Sequence, residues 1–188
     1  TVLTALVAIA GADAVAAYGI GGRLLSLVFL PALGLARGTE TVVGQNLGAE
    51  QVERAKRAVF ASSGLIAVVL VFLSVGAYVY AEAIVSIFIT GPDAGPVVAI
   101  GADYLRIIGP TFAFLGVFRI VQGGFRGSGS TRIAMVFSIL SLFGLRVPLA
   151  YVLITWAAMG ATGVWYAIAV SNVLIMIVIL VIRPTGLF

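Results

Sequence analysis

Apolar residues run through this chain in long stretches, and the polar positions gather into short islands between them. Residues 58–80 are 23 positions without a single charge, and 18 or more such residues suffice to cross a bilayer as a helix. Comparable stretches, broken only by scattered Gly, Pro or Arg, cover 15–44, 99–124, 132–156 and 162–183. A shorter one covers 1–12, where Val2 to Ala10 would make a helix of about 13 Å against a ~30 Å hydrocarbon core. The pattern predicts five complete spans and a truncated first one, as if the chain began partway through a helix. The stretch at 15–44 would be about 45 Å long as a helix, so it must tilt, bend or project from the membrane.

The islands predict the connections. GADAVAAYGIG at 11–21 reads as a small-residue turn and a helix start, with Asp13 placed to cap it. The densest island holds Glu50, Glu53, Arg54, Lys56 and Arg57. On a helix, Glu50 with Arg54 and Glu53 with Arg57 share a face in the favoured acid-first order, each pair worth about 0.2–0.5 kcal/mol. Residues 81–102 contain GPDAGP and read as a loop by turn chemistry, carrying Glu82 and Asp93 but no Lys or Arg. Tyr78, Tyr80 and Phe88 suit an aromatic belt beside it. Gly124 to Arg132 is a Gly/Ser turn with arginines, and Met159 to Trp165 is an uncharged turn.

Loop charges set the orientation. Arg54, Lys56, Arg57, Arg126, Arg132 and Arg183 fall on one set of connections, alternating with connections that hold no Lys or Arg. The positive-inside rule puts the basic set, with the carboxy-terminus, in the cytoplasm of a multi-pass cell-membrane protein.

Composition changes the picture by exclusion. Of 188 residues 62% are hydrophobic and 10% charged, with mean hydropathy +1.20, whereas a soluble domain carries about 25% charged residues. The lipid bilayer is therefore the main solvent, and an all-α integral membrane protein is expected. A net charge of +4 needs no nucleic-acid partner when loops are enriched in Lys and Arg. With no Cys and no His, disulfides, thiolate chemistry, the usual zinc sites and Ser-His-Asp triads are excluded. No nucleophile–base pair or metal cluster suggests an enzyme, and no cofactor is called for.

Charges inside spans cost at least ~2.5–3.5 kcal/mol near the bilayer centre, so each requires a reason. Arg106 and Arg119 lie near span ends and can snorkel outward. Arg37 and Glu40, three apart, can pair with each other. Arg23 and Arg146 are deeper and are candidates to face a water-filled cavity. Glu40 and Asp103 are the carboxylates near enough to a span to serve as a coupling site, which is otherwise expected outside this chain. Pro31, the Gly109-Pro110 step and Pro148 interrupt three spans, and broken helices line cavities in transporters. Gly34 and Gly38 form a small-xxx-small pair that permits close helix contact.

GADAVAAYGIG at 11–21, VGQNLGA at 43–49, ERAKRA at 53–58, GGFRGSGST at 123–131, RVPLA at 146–150 and GATGVWYAIAVSN at 160–172 occur together in one order. With them the chain resembles the multidrug and toxic compound extrusion (MATE) family of secondary transporters across nearly its whole length. That family has twelve helices in two six-helix bundles around a central cavity. The resemblance implies that residues 1–188 form a single helical bundle, the carboxy-terminal half of such a transporter. Some branches carry an acidic residue in the fourth helix of this bundle, about three turns before the Arg-Gly turn. Leu115 to Phe118 holds none, which makes the chain more similar to the DinF-like branch, whose coupling Asp lies in the other bundle.

The resemblance implies efflux of small organic cations or drugs by proton- or sodium-coupled antiport, with one bundle rocking against another. The second six-helix bundle would be a missing amino-terminal half or a homodimer mate. Gly44, Gln45, Asn46 and Gly48 become the cytoplasmic elbow that ends the long helix and braces the rocking. Two alternatives stay open: a lipid-linked saccharide flippase of the same superfamily, for which Arg23 and Arg146 would line the cavity, and a truncated, non-transporting membrane fragment.

Overall fold

The computed structural model describes residues 2–9, 11–89, 94–155 and 159–182, and every regular element among them is helical. The elements are α1 (Val2–Ala8), α2 (Ala12–Gly48), α3 (Val52–Val79), α4 (Ala81–Ser86), α5 (Ala94–Ile108), α6 (Phe112–Gly127), α7 (Thr131–Ile139), α8 (Val147–Thr155) and α9 (Gly160–Ile182). A 3₁₀ turn, Gly109–Thr111, joins α5 to α6, and a π-helical segment, Leu140–Arg146, joins α7 to α8. Each of those pairs is one broken span. Five stretches are long and apolar enough to cross a membrane, at 12–48, 52–79, 95–127, 131–155 and 160–179. Two short helices lie outside them, α1 of seven residues and α4 of six.

The breaks follow from proline chemistry. Pro110 supplies no N–H to the carbonyl of Arg106, and the chain there tightens into the 3₁₀ turn. Thr111 Oγ1 donates to the Ile108 carbonyl at 2.7 Å within this turn. Pro148 likewise cannot donate to the Gly144 carbonyl. The wider π turn lies directly before it, and its last bond runs five residues back, from Val147 N–H to the Leu142 carbonyl. Pro31 differs, because α2 continues through it as one helix of 37 residues. Its exposed position needs no packing adjustment.

Several sequence expectations are corrected. Helix α2 starts at Ala12 with Gly11 before it at φ 107° and no side-chain cap. Asp13 therefore sits inside the first turn, where its charge still suits the positive helix end. Residues 81–102 are mostly helix, because α4 and the start of α5 occupy them. Glu50 precedes α3 and takes φ 60°, so it shares no helical face with Arg54. The ion pair on α3 is Lys56 with Glu53 at 2.9 Å, and Arg54 instead donates to Gln51 Oε1 at 2.8 Å. Asp93 and Arg183 lie outside the described residues.

Helices α2, α3 and α6 pack pairwise, while α9 lies against α5, α6 and α8. Trp165, Tyr104, Phe112, Ile66 and Leu70 are fully buried between them. A smaller cluster joins α6, α7 and α9 through Phe118, Phe125, Phe137 and Ile175. The outer surface is just as apolar: Phe72 and Ile87 are each 75% exposed. Such a surface is stable against lipid and would be a liability in water.

The closest backbone approach is not where Gly34 and Gly38 suggested. A Cβ at either would meet nothing within 4 Å. On α6, by contrast, a Cβ at Gly123 would run into the Ala36 carbonyl, and one at Gly127 into the Glu40 carbonyl. Gly123 and Gly127 are four apart, as are Ala36 and Glu40. The working small-xxx-small pair is thus on α6, and it lets α6 lie directly on α2.

Candidate functional site

The two broken spans meet at one polar cluster. Arg146 ends the π segment and reaches α9, donating from Nη2 to Asn172 Oδ1 at 2.6 Å and from Nε to Ser171 Oγ at 3.1 Å. Asn172 Nδ2 then donates to Thr111 Oγ1 at 3.0 Å, in the 3₁₀ break between α5 and α6. Ser171 Oγ donates in turn to the Ile168 carbonyl at 2.9 Å. Ser171 and Asn172 are completely buried and Thr111 nearly so. A guanidinium withdrawn from water requires acceptors, and this half-buried one finds them at Ser171 and Asn172 of α9.

An aromatic group closes the cluster on one side. Tyr18 of α2 stacks on Trp165 of α9 with ring centroids 5.6 Å apart, and Tyr104 of α5 meets Trp165 edge-on at 4.8 Å. Tyr18 and Tyr104 both lie within electrostatic reach of Arg146. Gly21 is needed beneath them, because a Cβ there would enter the Tyr104 ring.

Two further polar locks lie elsewhere in the bundle. Arg126 Nε donates to Glu40 Oε2 at 2.9 Å, tying α6 to α2. Gln122 Nε2 donates to Ser138 Oγ at 2.7 Å, tying α6 to α7, and Arg119 Nη1 approaches Gln122 Oε1 at 3.5 Å. At the far end of the molecule Arg106 pairs with Glu82 at 2.9 Å.

The predicted site residues therefore separate. Arg146 sits at the centre of the cluster. Arg23 is exposed on α2, and Asp103 is exposed on α5; neither appears among the hydrogen bonds of the cluster. Glu40 does not pair with Arg37, as its spacing allowed, but with Arg126. Pro110 and Pro148 mark the two breaks that bring Thr111 and Arg146 together, and Pro31 stands apart from them. Gly44, Gln45, Asn46 and Gly48 are the last residues of α2. Gly44 faces the Gly127 carbonyl, with 3.3 Å available to a Cβ. Asn46 Nδ2 donates back to the Val42 carbonyl at 2.7 Å, and its own carbonyl accepts from Gln51 N–H at 2.8 Å, which turns the chain into α3.

Thr111, Ser171, Asn172 and the aromatic trio were not expected as site residues. For Ser171 and Asn172 there was a signal: they form a polar step in the otherwise apolar run of α9. Tyr18 and Tyr104 carried none, since their approach depends on the packing of α2 against α5.

The chain is thus an all-helical bundle of apolar spans, two of them broken and joined at a polar cluster. The MatE family model matches residues 1–152, and the chain belongs to that family. It is 30% identical over 159 residues to the probable multidrug resistance protein NorM of Thermotoga maritima, covering 84% of this chain and 33% of that protein. It is 30% identical over 169 residues to the probable multidrug resistance protein YoeA of Bacillus subtilis, covering 88% of this chain and 36% of that protein. The chain thus spans about a third of the length of these relatives. A solved multidrug resistance MATE family transporter of the MOP superfamily, in an inward-facing conformation, superposes with TM-score 0.90 at 21% identity, covering 99% of this chain and 43% of that one. A MOP superfamily transporter from Pyrococcus furiosus gives TM-score 0.93 at 20% identity, with 99% and 42% covered. The fold is that of half a MATE transporter, and the chain is a multi-pass membrane protein.

Proposed function

We propose that this bundle is the carboxy-terminal half of a secondary exporter of small organic cations or drugs in the cell membrane, driven by inward proton or sodium flow. The observation that carries the reading is the Arg146–Asn172–Thr111 chain, which connects two helix breaks inside a transporter-type fold. Irregular backbone at membrane depth is tolerated where protein buries it or a cavity wets it, and transporters place such breaks where helices must move. The elbow at Gly44 to Gly48 then braces α2 and α3 while the bundle rocks against a second one. The basic connections, Arg54 to Arg57 and Arg126 to Arg132, face the cytoplasm in this reading. The coupling site belongs to the second bundle, since Glu40 is already neutralised by Arg126 and Asp103 is exposed.

The test is dye export. Cells lacking their own pumps, expressing this chain together with its second bundle, should accumulate several-fold less ethidium than control cells. Collapse of the proton and sodium gradients together should erase the difference. Accumulation that ignores both gradients would sink coupled export.

A further inference from the structure

The side-chain protons around Arg146 are committed away from its guanidinium. Thr111 Oγ1 gives its one proton to the Ile108 carbonyl at 2.7 Å, so toward Asn172 it can only accept. That turns the Asn172 amide nitrogen to Thr111, at 3.0 Å, and leaves Oδ1 to face Arg146. Ser171 Oγ gives its proton to the Ile168 carbonyl at 2.9 Å and likewise offers Arg146 only lone pairs. Each of the two oxygens is thus oriented by a bond in which Arg146 takes no part. Ser171 and Asn172 are also completely buried, which holds them in place.

Oxygens that can only accept, brought together away from water, suit a cation. Among the described residues no carboxylate shares the guanidinium. Glu40, Glu53 and Glu82 hold Arg126, Lys56 and Arg106, while Asp13, Glu50 and Asp103 are exposed. The oxygens also stand where the 3₁₀ break of one span meets the π-helical segment of another. Transporters hold a coupling sodium ion or proton at such discontinuous helices. Here a cation of the chain itself fills the position, on the last residue of the π segment.

We infer that Arg146 is a tethered cation, and that Asn172 and Ser171, oriented by Thr111 and the Ile168 carbonyl, form a site for a small planar monovalent cation of the guanidinium type. A free ion enters and leaves such a junction, whereas this one is covalently fixed. The two breaks are therefore permanently liganded through α9, and no coupling ion is exchanged between them. That consequence rests on the export reading above; the site itself does not.

Arg146→Ala removes the guanidinium and leaves the oxygens. With the chain purified together with its second bundle, guanidinium chloride at up to about 20 mM stays far below denaturing concentrations. It should raise the melting temperature of Arg146→Ala by about 4 °C and leave wild type unchanged. Urea, which has the same planar shape without the charge, should raise neither. An equal shift in variant and wild type would overturn the site, as would an equal effect of urea. A second pair of variants decides the matter even where Arg146→Ala is too unstable to purify. Arg146→Lys keeps a cation and should melt closer to wild type than Arg146→Gln, which offers donors without charge; the reverse order would overturn the proposal. In everted vesicles, guanidinium should restore ethidium transport by Arg146→Ala several-fold. Restored melting without restored transport would overturn the part assigned to the site in export. The melting measurements read cation binding alone, so a wild type that exports no dye leaves them standing.

Discussion

Arg126 donates from Nε to the Glu40 carboxylate at 2.9 Å, joining the last turn of α6 to α2 across 86 positions of sequence. The bond sits directly over Gly127, whose missing side chain lets the Glu40 carbonyl approach. Charge and close packing thus act on the same turn. Arg126 also lies at the carboxyl end of α6, where a cation opposes the negative end of the helix dipole.

The pair is about a third exposed on each side, 35% and 37%, so solvent screening limits its worth to about 1 kcal/mol. Glu40→Gln and Arg126→Gln should each lower the melting temperature of the detergent-solubilised protein by a few degrees. The double variant should cost little more than either single one. Strict additivity in that cycle would show that the two side chains do not act on each other.

Glycines in the same two helices should respond in opposite directions. Gly38→Ala adds a Cβ in open space and removes the backbone entropy of a mid-helix glycine, so it should stabilise by about 0.5–1 kcal/mol. Gly123→Ala forces a Cβ against the Ala36 carbonyl, and α6 must move away from α2 at a cost of about 1–3 kcal/mol. Melting temperatures of the two variants check this, and a shift of the same sign for both would refute the assigned contact.

What was legible in the sequence divides along these lines. Span number, the broken spans at Pro110 and Pro148, and the wet island at Glu53 to Arg57 depend on local chemistry and periodicity, which a sequence displays. Pairing across the bundle does not. Arg37 is three positions from Glu40, yet the actual partner is Arg126, because the glycines of α6 bring that helix within reach. Arg23 and Arg146 looked alike as deep cations. Only Arg146 has Ser171 and Asn172 opposite it, and only packing of α9 decides that. Gly34 and Gly38 show the converse error, a motif of the right spacing on a face with no close neighbour among the described residues.

Orientation can be read by cysteine chemistry, since the native chain contains no Cys. Cysteines introduced singly at exposed Arg54 and exposed Glu82 stand at opposite ends of α3, whose 28 residues span about 42 Å. With Arg54 in the cytoplasm, a membrane-impermeant maleimide added to intact cells should label the cysteine at 82 and spare that at 54. Permeabilised cells should show both labelled. The reverse pattern in intact cells would invert the topology, and equal labelling of both would mean that α3 does not cross.

The Arg146 cluster should show a fixed order of sensitivity. Asn172 is the link that matters most: its carbonyl accepts from the guanidinium and its amide donates to Thr111. Asn172→Leu removes both, leaving a half-buried cation one acceptor short, and should cost about 1–3 kcal/mol. Asn172→Asp keeps the acceptor for Arg146 and loses only the donor to Thr111, so its cost should be well below that of Leu. Ser171→Ala removes the longer of the two Arg146 bonds, 3.1 Å against 2.6 Å, and should cost about 1 kcal/mol. If the cluster also joins moving parts during export, Asn172→Asp should slow ethidium efflux more than its melting temperature predicts, while Ser171→Ala should track stability alone. Melting curves and initial efflux rates on the same three variants separate the two roles. Efflux that falls strictly in proportion to folded protein would leave the cluster as a structural brace.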